Sequence, residues 1–181
     1  MLILRGTDIQ LLRAVRPDTH EIGGVIVTGD DGSIVDFSLS TGGKCRDMKG
    51  NLLPNVTNCS VMHHNGEIVF HTHPRANRPS STDLAVAVSE YPRRKLNLIF
   101  TPRGLWAYAP SKTLSERMTH MNHDELRRHI MGWRFIGHTE QENTQNNECR
   151  SYCMFLRNEG FKTWYIPYHD ILTDSTFTFD Y

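Results

Sequence analysis

The chain of 181 residues has no surplus of either charge, twenty Lys and Arg standing against twenty Asp and Glu. It therefore has no global field to recruit nucleic acid or an anionic membrane, and neither partner is expected. The local basic run Arg93-Arg94-Lys95 reads as a solvated helix end rather than a binding patch. Cysteine is scarce: Cys45, Cys59, Cys149 and Cys153 are too few and too scattered for a disulfide-built scaffold, and reduced thiols are the simpler reading. Cys149 and Cys153 share one face of a helix, which suits two small buried apolar groups better than a second metal or redox site. No apolar run approaches the length of about 20 residues that spans a bilayer. The opening stretch MLILRGTDIQLLRAV lacks a basic leader, an adequate h-region and a small-residue cleavage site, so a cytoplasmic protein is expected. The glycosylation patterns at Asn55 and Asn58 carry little weight without a secretory signal. What remains is an ordinary globular composition, 38% hydrophobic and 22% charged, long enough to bury one core without staples.

Periodicity supplies the elements. Residues 7–15 place Ile9, Leu12 and Val15 on one helical face, with Thr7 or Asp8 as cap and Pro17 as stop. IGGVIVT (22–28) and SIVDFSL (33–39), joined by Gly29-Asp30-Asp31-Gly32, read as a hairpin. Residues 40–65 have little periodicity and read as a long loop or insertion. EIVFHTHP is a buried strand with histidines at its end, and Ser80-Ser81-Thr82-Asp83 opens a helix running from Leu84 to Tyr91. KLNLIFTP and GLWAYAP are strands around a Pro102-Arg103-Gly104 turn. Residues 114–133 and about 147–159 are helical, 139–148 reads as an exposed polar loop, and KTWYIPY adds a strand. The sum is an α/β (α+β) fold in which helices are segregated from a mixed, mostly antiparallel sheet.

Chemistry concentrates in one stretch. On an extended strand end, residues i and i+2 point the same way, so His71-Thr72-His73 aims two imidazoles at one point. Catalytic zinc needs three protein ligands and an open position, and Asp83, in the first turn of the next helix, can complete the set. Its charge suits the positive helix N-terminus, and the competing reading of Asp83 alone is a helix cap. Zinc lowers the pKa of its bound water to roughly 7, but a carboxylate must still move the proton. Glu21, just before an apolar strand, is the candidate general acid/base. Glu67 is the rival, yet about 13 Å of extended chain separates it from His71. His20-Glu21 begins like a zincin HExxH, but Gly24 stands where the second histidine belongs. His63, His64, His120, His123, His129 and His138 have no third ligand at recognisable spacing.

Glu21, the HxHP of His71 to Pro74 and the Ser-x-x-Asp of Ser80 to Asp83 together resemble the JAMM (MPN+) metalloprotease family, in matching order and helix context, with GLWAY as the following strand. The resemblance covers about residues 1–110; the interval from Arg75 to Pro79 is one residue shorter than the commonest family form. It implies a cytidine-deaminase-like MPN fold over a single domain at 1–181, with 111–181 as a helical C-terminal extension completing or decorating the core. It further implies a Zn2+ cofactor on His71, His73 and Asp83, and Glu21 as catalytic acid/base. By the Ser-x-x-Asp spacing Ser80 takes the serine's place, its hydroxyl stabilising a tetrahedral oxyanion; the helix-cap reading of Ser80 stands beside that one. The implied activity is isopeptide or amide hydrolysis, with ubiquitin or a ubiquitin-like protein as substrate. Two alternatives are a prokaryotic-type JAMM hydrolase acting on a non-ubiquitin amide or thiocarboxylate carrier, and a non-catalytic MPN scaffold, against which the complete residue set argues.

Overall fold

The computed structural model describes residues 1–14, 21–40, 66–133 and 145–181. In chain order its elements are β1 (Leu2–Arg5), α1 (Gly6–Ala14), β2 (Gly23–Thr28), β3 (Ile34–Ser40), β4 (Ile68–Thr72), α2 (Ser81–Ser89) and β5 (Leu96–Phe100). There follow β6 (Gly104–Pro110), α3 (Lys112–Met118), α4 (His123–Met131), α5 (Gln145–Glu159), β7 (Phe161–Pro167), a 3-10 turn at Tyr168–Asp170 and β8 (Thr176–Phe179). Six strands form a mixed sheet in the order β3-β2-β4-β5-β6-β7, while β1 and β8 make a separate two-stranded ribbon. Within the large sheet β4 and β5 run parallel and the other neighbours antiparallel. The fold is α+β, as the pattern of elements predicts.

Strands β4, β5 and β6 are buried at every position, which is why they read as continuous apolar runs rather than as alternations. On one face of the sheet, Ile26, Phe70, Leu98 and Leu105 pack against Ile9 and Leu12 of α1 and against Leu2, Leu4 and Phe179 of the ribbon. On the other face, Ile99, Trp106 and Tyr108 meet Leu84 and Val88 of α2, Leu114 of α3, Leu126 of α4 and Leu156 of α5. The sheet is thus a shared wall between two apolar clusters, and the candidate histidines leave it at the C-terminal end of β4.

The predicted hairpin is β2–β3, with a register shift between Val27 and Thr28; its turn places Gly32 at φ +83, a conformation that favours glycine. The predicted helix at 114–133 is two helices. Asn122 interrupts it with a capping box: its side chain accepts from Glu125 N at 3.0 Å and its own N–H donates to Glu125 Oε2 at 2.9 Å. Helix α5 starts at Gln145, inside the stretch read as a polar loop. The ribbon strands β1 and β8 go beyond the sequence reading. Arg94 also differs from expectation: its neighbours pair at the surface, Arg93 with Glu90 and Lys95 with Glu67 at 2.8 Å, but Arg94 itself is buried beside Tyr108.

Residues beyond 110 are built into both sheets, since β7 pairs along the whole of β6 and β8 along β1. The loop expected at 40–65 lies, from residue 41 on, outside the described residues, with Cys45, Cys59, Asn55, Asn58, His63 and His64; so do Val15, His20 and His138. Among the described residues no helix is long and apolar enough to cross a membrane.

Gly24 holds the closest approach in the sheet's interior. A Cβ there would lie 1.7 Å from the Ser38 carbonyl oxygen and 2.8 Å from the Phe70 ring. Gly24→Ala is therefore expected to destabilise the protein by about 3 kcal/mol or more, as overpacking against backbone does. Urea unfolding measures this; an unchanged midpoint would contradict the β2–β3 and β2–β4 packing.

Candidate metal centre

Strand pairing assembles the centre. Gly23 of β2 lies opposite His71 of β4, and one residue outward Ile22 faces Thr72. Thr72 N donates to Ile22 O at 2.9 Å, while Thr72 Oγ1 accepts from Ile22 N at 3.0 Å and donates to Ile22 O at 3.3 Å. The next step of the same antiparallel register sets Glu21 beside His73, with Glu21 Oε1 3.6 Å from His73 Nε2. His73 N is tied in turn to the Phe100 carbonyl at the end of β5, at 2.9 Å. Both imidazoles are about 95% buried, and Thr72 between them is wholly so.

Asp83 arrives from the other side as the third residue of α2. Ser80 is the N-cap: Asp83 N donates to Ser80 Oγ at 3.1 Å, and Ser80 N donates to Asp83 Oδ2 at 2.7 Å. The Ser80 hydroxyl also donates to Asp83 Oδ2, at 2.6 Å. The cap reading of Ser80 and that of Asp83 are both realised, and in Asp83 the cap is combined with histidine contacts. Asp83 Oδ1 lies 3.3 Å from His71 Nε2 and Oδ2 lies 3.3 Å from His73 Nε2, while the two Nε2 atoms are 3.1 Å apart.

These separations suit a metal ion. Tetrahedral zinc with bonds of about 2.0–2.2 Å holds neighbouring donor atoms about 3.3–3.6 Å apart. His71, His73 and Asp83 form the one group of three such donors among the described residues whose ligand atoms all converge, within 4.8 Å of one another. The charges agree with the distances. Burial works to raise the Asp83 carboxyl, but the adjacent His71 and His73 outweigh it and hold it well below the usual carboxylate range. For His73 burial disfavours the charged ring, yet the Asp83 hydrogen bond and the Asp83 and Glu21 charges carry its pKa upward. Burial raises Glu21, and Asp83 adds to that rise against the two histidines. Two carboxylates brought together in a largely buried space repel, and a divalent cation held by the group would relieve that repulsion.

Glu67 is no part of this group: it sits at the opposite end of β4, exposed and paired with Lys95. His123 opens α4, and the exposed His129 packs edge-on against Trp133. Cys149 and Cys153 are buried free thiols on one face of α5, within the second apolar cluster. Burial pushes the Cys149 thiol up to about 11, so it is a weak donor, not a nucleophile. Sequence reasoning missed Thr72, whose signal was its place between two histidines on a strand, pointing to the opposite face. Comparison with family models, with curated proteins and with solved structures gives no match.

Zinc is expected to raise the melting temperature, contributing about 2.7 kcal/mol when free zinc is 100 times Kd. His71→Ala should abolish that shift. Asp83→Ala should abolish it too and also lower the stability of the metal-free protein by about 1 kcal/mol through the lost cap. Thermal melts with and without zinc check all three; a wild-type melt indifferent to zinc would remove the metal assignment.

Proposed function

We propose that the chain is a zinc-dependent hydrolase of the JAMM (MPN+) type that cleaves an amide or isopeptide bond, with ubiquitin or a ubiquitin-like protein as substrate. The observation that carries this reading is the convergence of Glu21 on the His71, His73 and Asp83 group, in the chain order that the motif requires. A mixed sheet with helices on both faces supports the cytidine-deaminase-like fold that goes with it, and the pairing of β7 and β8 into the two sheets supports one domain across 1–181.

When bound, zinc would supply a Lewis acid that acidifies water and polarises the scissile carbonyl. His71, His73 and Asp83 are the residues that would hold it. Glu21 is the proton carrier. Burial raises its pKa toward the working range of a general acid/base, and its place beside His73 keeps its carboxylate at the edge of the ligand group. Glu21 takes a proton from the attacking water as the water oxygen joins the carbonyl carbon. It returns that proton to the departing nitrogen as the C–N bond breaks. Ser80 has two roles available. Its hydroxyl proton is committed to Asp83 in the present arrangement, which makes it a positioning residue for that ligand; turning outward, the same hydroxyl would meet the oxyanion.

The test is cleavage of a panel of ubiquitin dimers by zinc-loaded protein. Glu21→Gln should keep zinc while losing turnover by on the order of 10²-fold or more; a fully active Glu21→Gln protein would remove the assignment of the base. Ser80→Ala should lower kcat by about 10²-fold with zinc retained if the oxyanion role operates, whereas a loss of zinc affinity marks the positioning role. Zinc-bound wild type that cleaves no dimer would overturn the ubiquitin substrate in favour of another amide.

A further inference from the structure

Segment 74–80 joins His73 to the cap of α2, and it is gripped at mid-span from outside the centre. Trp106 of β6, fully buried, donates its Nε1–H to the Asn77 carbonyl at 2.8 Å. Cys149 of α5 donates its thiol to the same carbonyl at 3.4 Å. One residue on, Arg78 lays its guanidinium over the Tyr152 ring, 4.8 Å from the centroid, and faces Glu148 at 3.8 Å. Four groups from two elements thus converge on two consecutive residues of the span between ligands.

We infer that Trp106, with Glu148, Cys149 and Tyr152 of α5, positions the metal ligands by fixing segment 74–80. The inference rests on the metal-centre reading proposed above. Its physical basis is that the two sides of the centre are anchored separately, His73 on β5 through Phe100 and Asp83 on α2 through its capping box. The segment between them is the covalent link between the two anchors, running beside the packing of α2 on Ile99 and Trp106. Metal affinity depends on donor distances to about 0.2 Å, a tolerance that a freely moving connection of six residues, Pro74 to Pro79, does not provide. Asn77 is where that freedom is removed: its carbonyl takes two donors, one rigid on the sheet and one on the helix. The Arg78 contacts add a second hold. Stacking on Tyr152 uses the planar guanidinium, and the Glu148 pair adds an attraction that is modest at a partly exposed site. Helix α5 thereby becomes part of the centre although none of its residues is a ligand.

The contribution is separable from folding because Arg78 is about half exposed, 48% at its side chain, so Arg78→Ala removes the Tyr152 and Glu148 contacts without opening the core. Trp106→Phe removes the Nε1 donor and keeps an aromatic ring. Trp164→Phe, which alters an indole packed against Phe179 on the other face of the sheet, is the matched control.

The readouts are zinc affinity by chelator competition and the visible absorption of the Co2+-loaded protein, whose bands report ligand number and geometry. Arg78→Ala and Trp106→Phe are each expected to lower affinity by about 10–100-fold, as loss of outer support does, and to alter the Co2+ spectrum; Trp164→Phe should change neither. If Trp106→Phe does not fold, Arg78→Ala carries the test. A folded Arg78→Ala protein with wild-type affinity and spectrum would overturn the inference and leave the metal centre standing. A wild type that binds neither ion would overturn the centre and the inference with it, and no substrate is needed to tell the two apart.

Discussion

The register of β2 against β4 is the constraint on which the centre depends. Thr72 enforces it by exchanging hydrogen bonds with Ile22 through both backbone and side chain, in a position without solvent. Because side chains alternate between faces along a strand, a slip of one residue would turn the opposed residues to the wrong face. It would also separate Glu21 from His73. Thr72 therefore serves the site without pointing into it: its neighbours aim at the centre, and its own hydroxyl fastens the strand that brings the carboxylate.

Asp83 concentrates several demands in one side chain. It closes the capping box of α2, accepts from Ser80 twice through Oδ2, and meets both imidazoles. The helix N-terminus favours its negative charge, and the histidines hold its carboxyl down. Glu21, by contrast, has burial against it and a like charge nearby. The two carboxyls are thus shifted in opposite directions, Asp83 down and Glu21 up, a division made by surroundings rather than by residue type. The apolar packing of α2 on Ile99 and Trp106 steadies the helix that carries the charged group.

The parts of this arrangement that are local in sequence were legible in it. The apolar, β-branched segment at 22–28, the apolar run before His71, the His-x-His spacing and the Ser80 to Asp83 cap each depend on residues within a few positions of one another. Glu21 could be named as a candidate because it precedes a strand, although its approach to His73 is a property of strand pairing. What escaped is non-local or brief. β1 and β8 are four residues each, too short to display a period, and their pairing joins distant parts of the chain. The break between α3 and α4 was masked because Asn122 is as compatible with a polar helix face as with a cap until Glu125 is seen reaching back to it. Trp106 reads as one more apolar residue of a buried strand; that its indole N–H ends on Asn77 depends on where an unpatterned segment comes to rest. Arg94 was hidden by two solvated basic neighbours.

The ribbon of β1 and β8 has a consequence for the order of events as the chain is made. Leu2 pairs with Phe179 and Arg5 with Thr176, so β1 is made well before β8 and waits for the intervening elements before it finds its partner. Leu2, Leu4, Ile9 and Leu12 are apolar and buried in the finished protein, and over that interval they have only part of their final cover. The large sheet has no such delay at β2–β3 or β5–β6, whose partners are neighbours in sequence. Vectorial synthesis therefore favours early assembly of local hairpins and late closure of the ribbon over the face that α1 shares, opposite α2 to α5, a long-range contact whose entropic cost falls late.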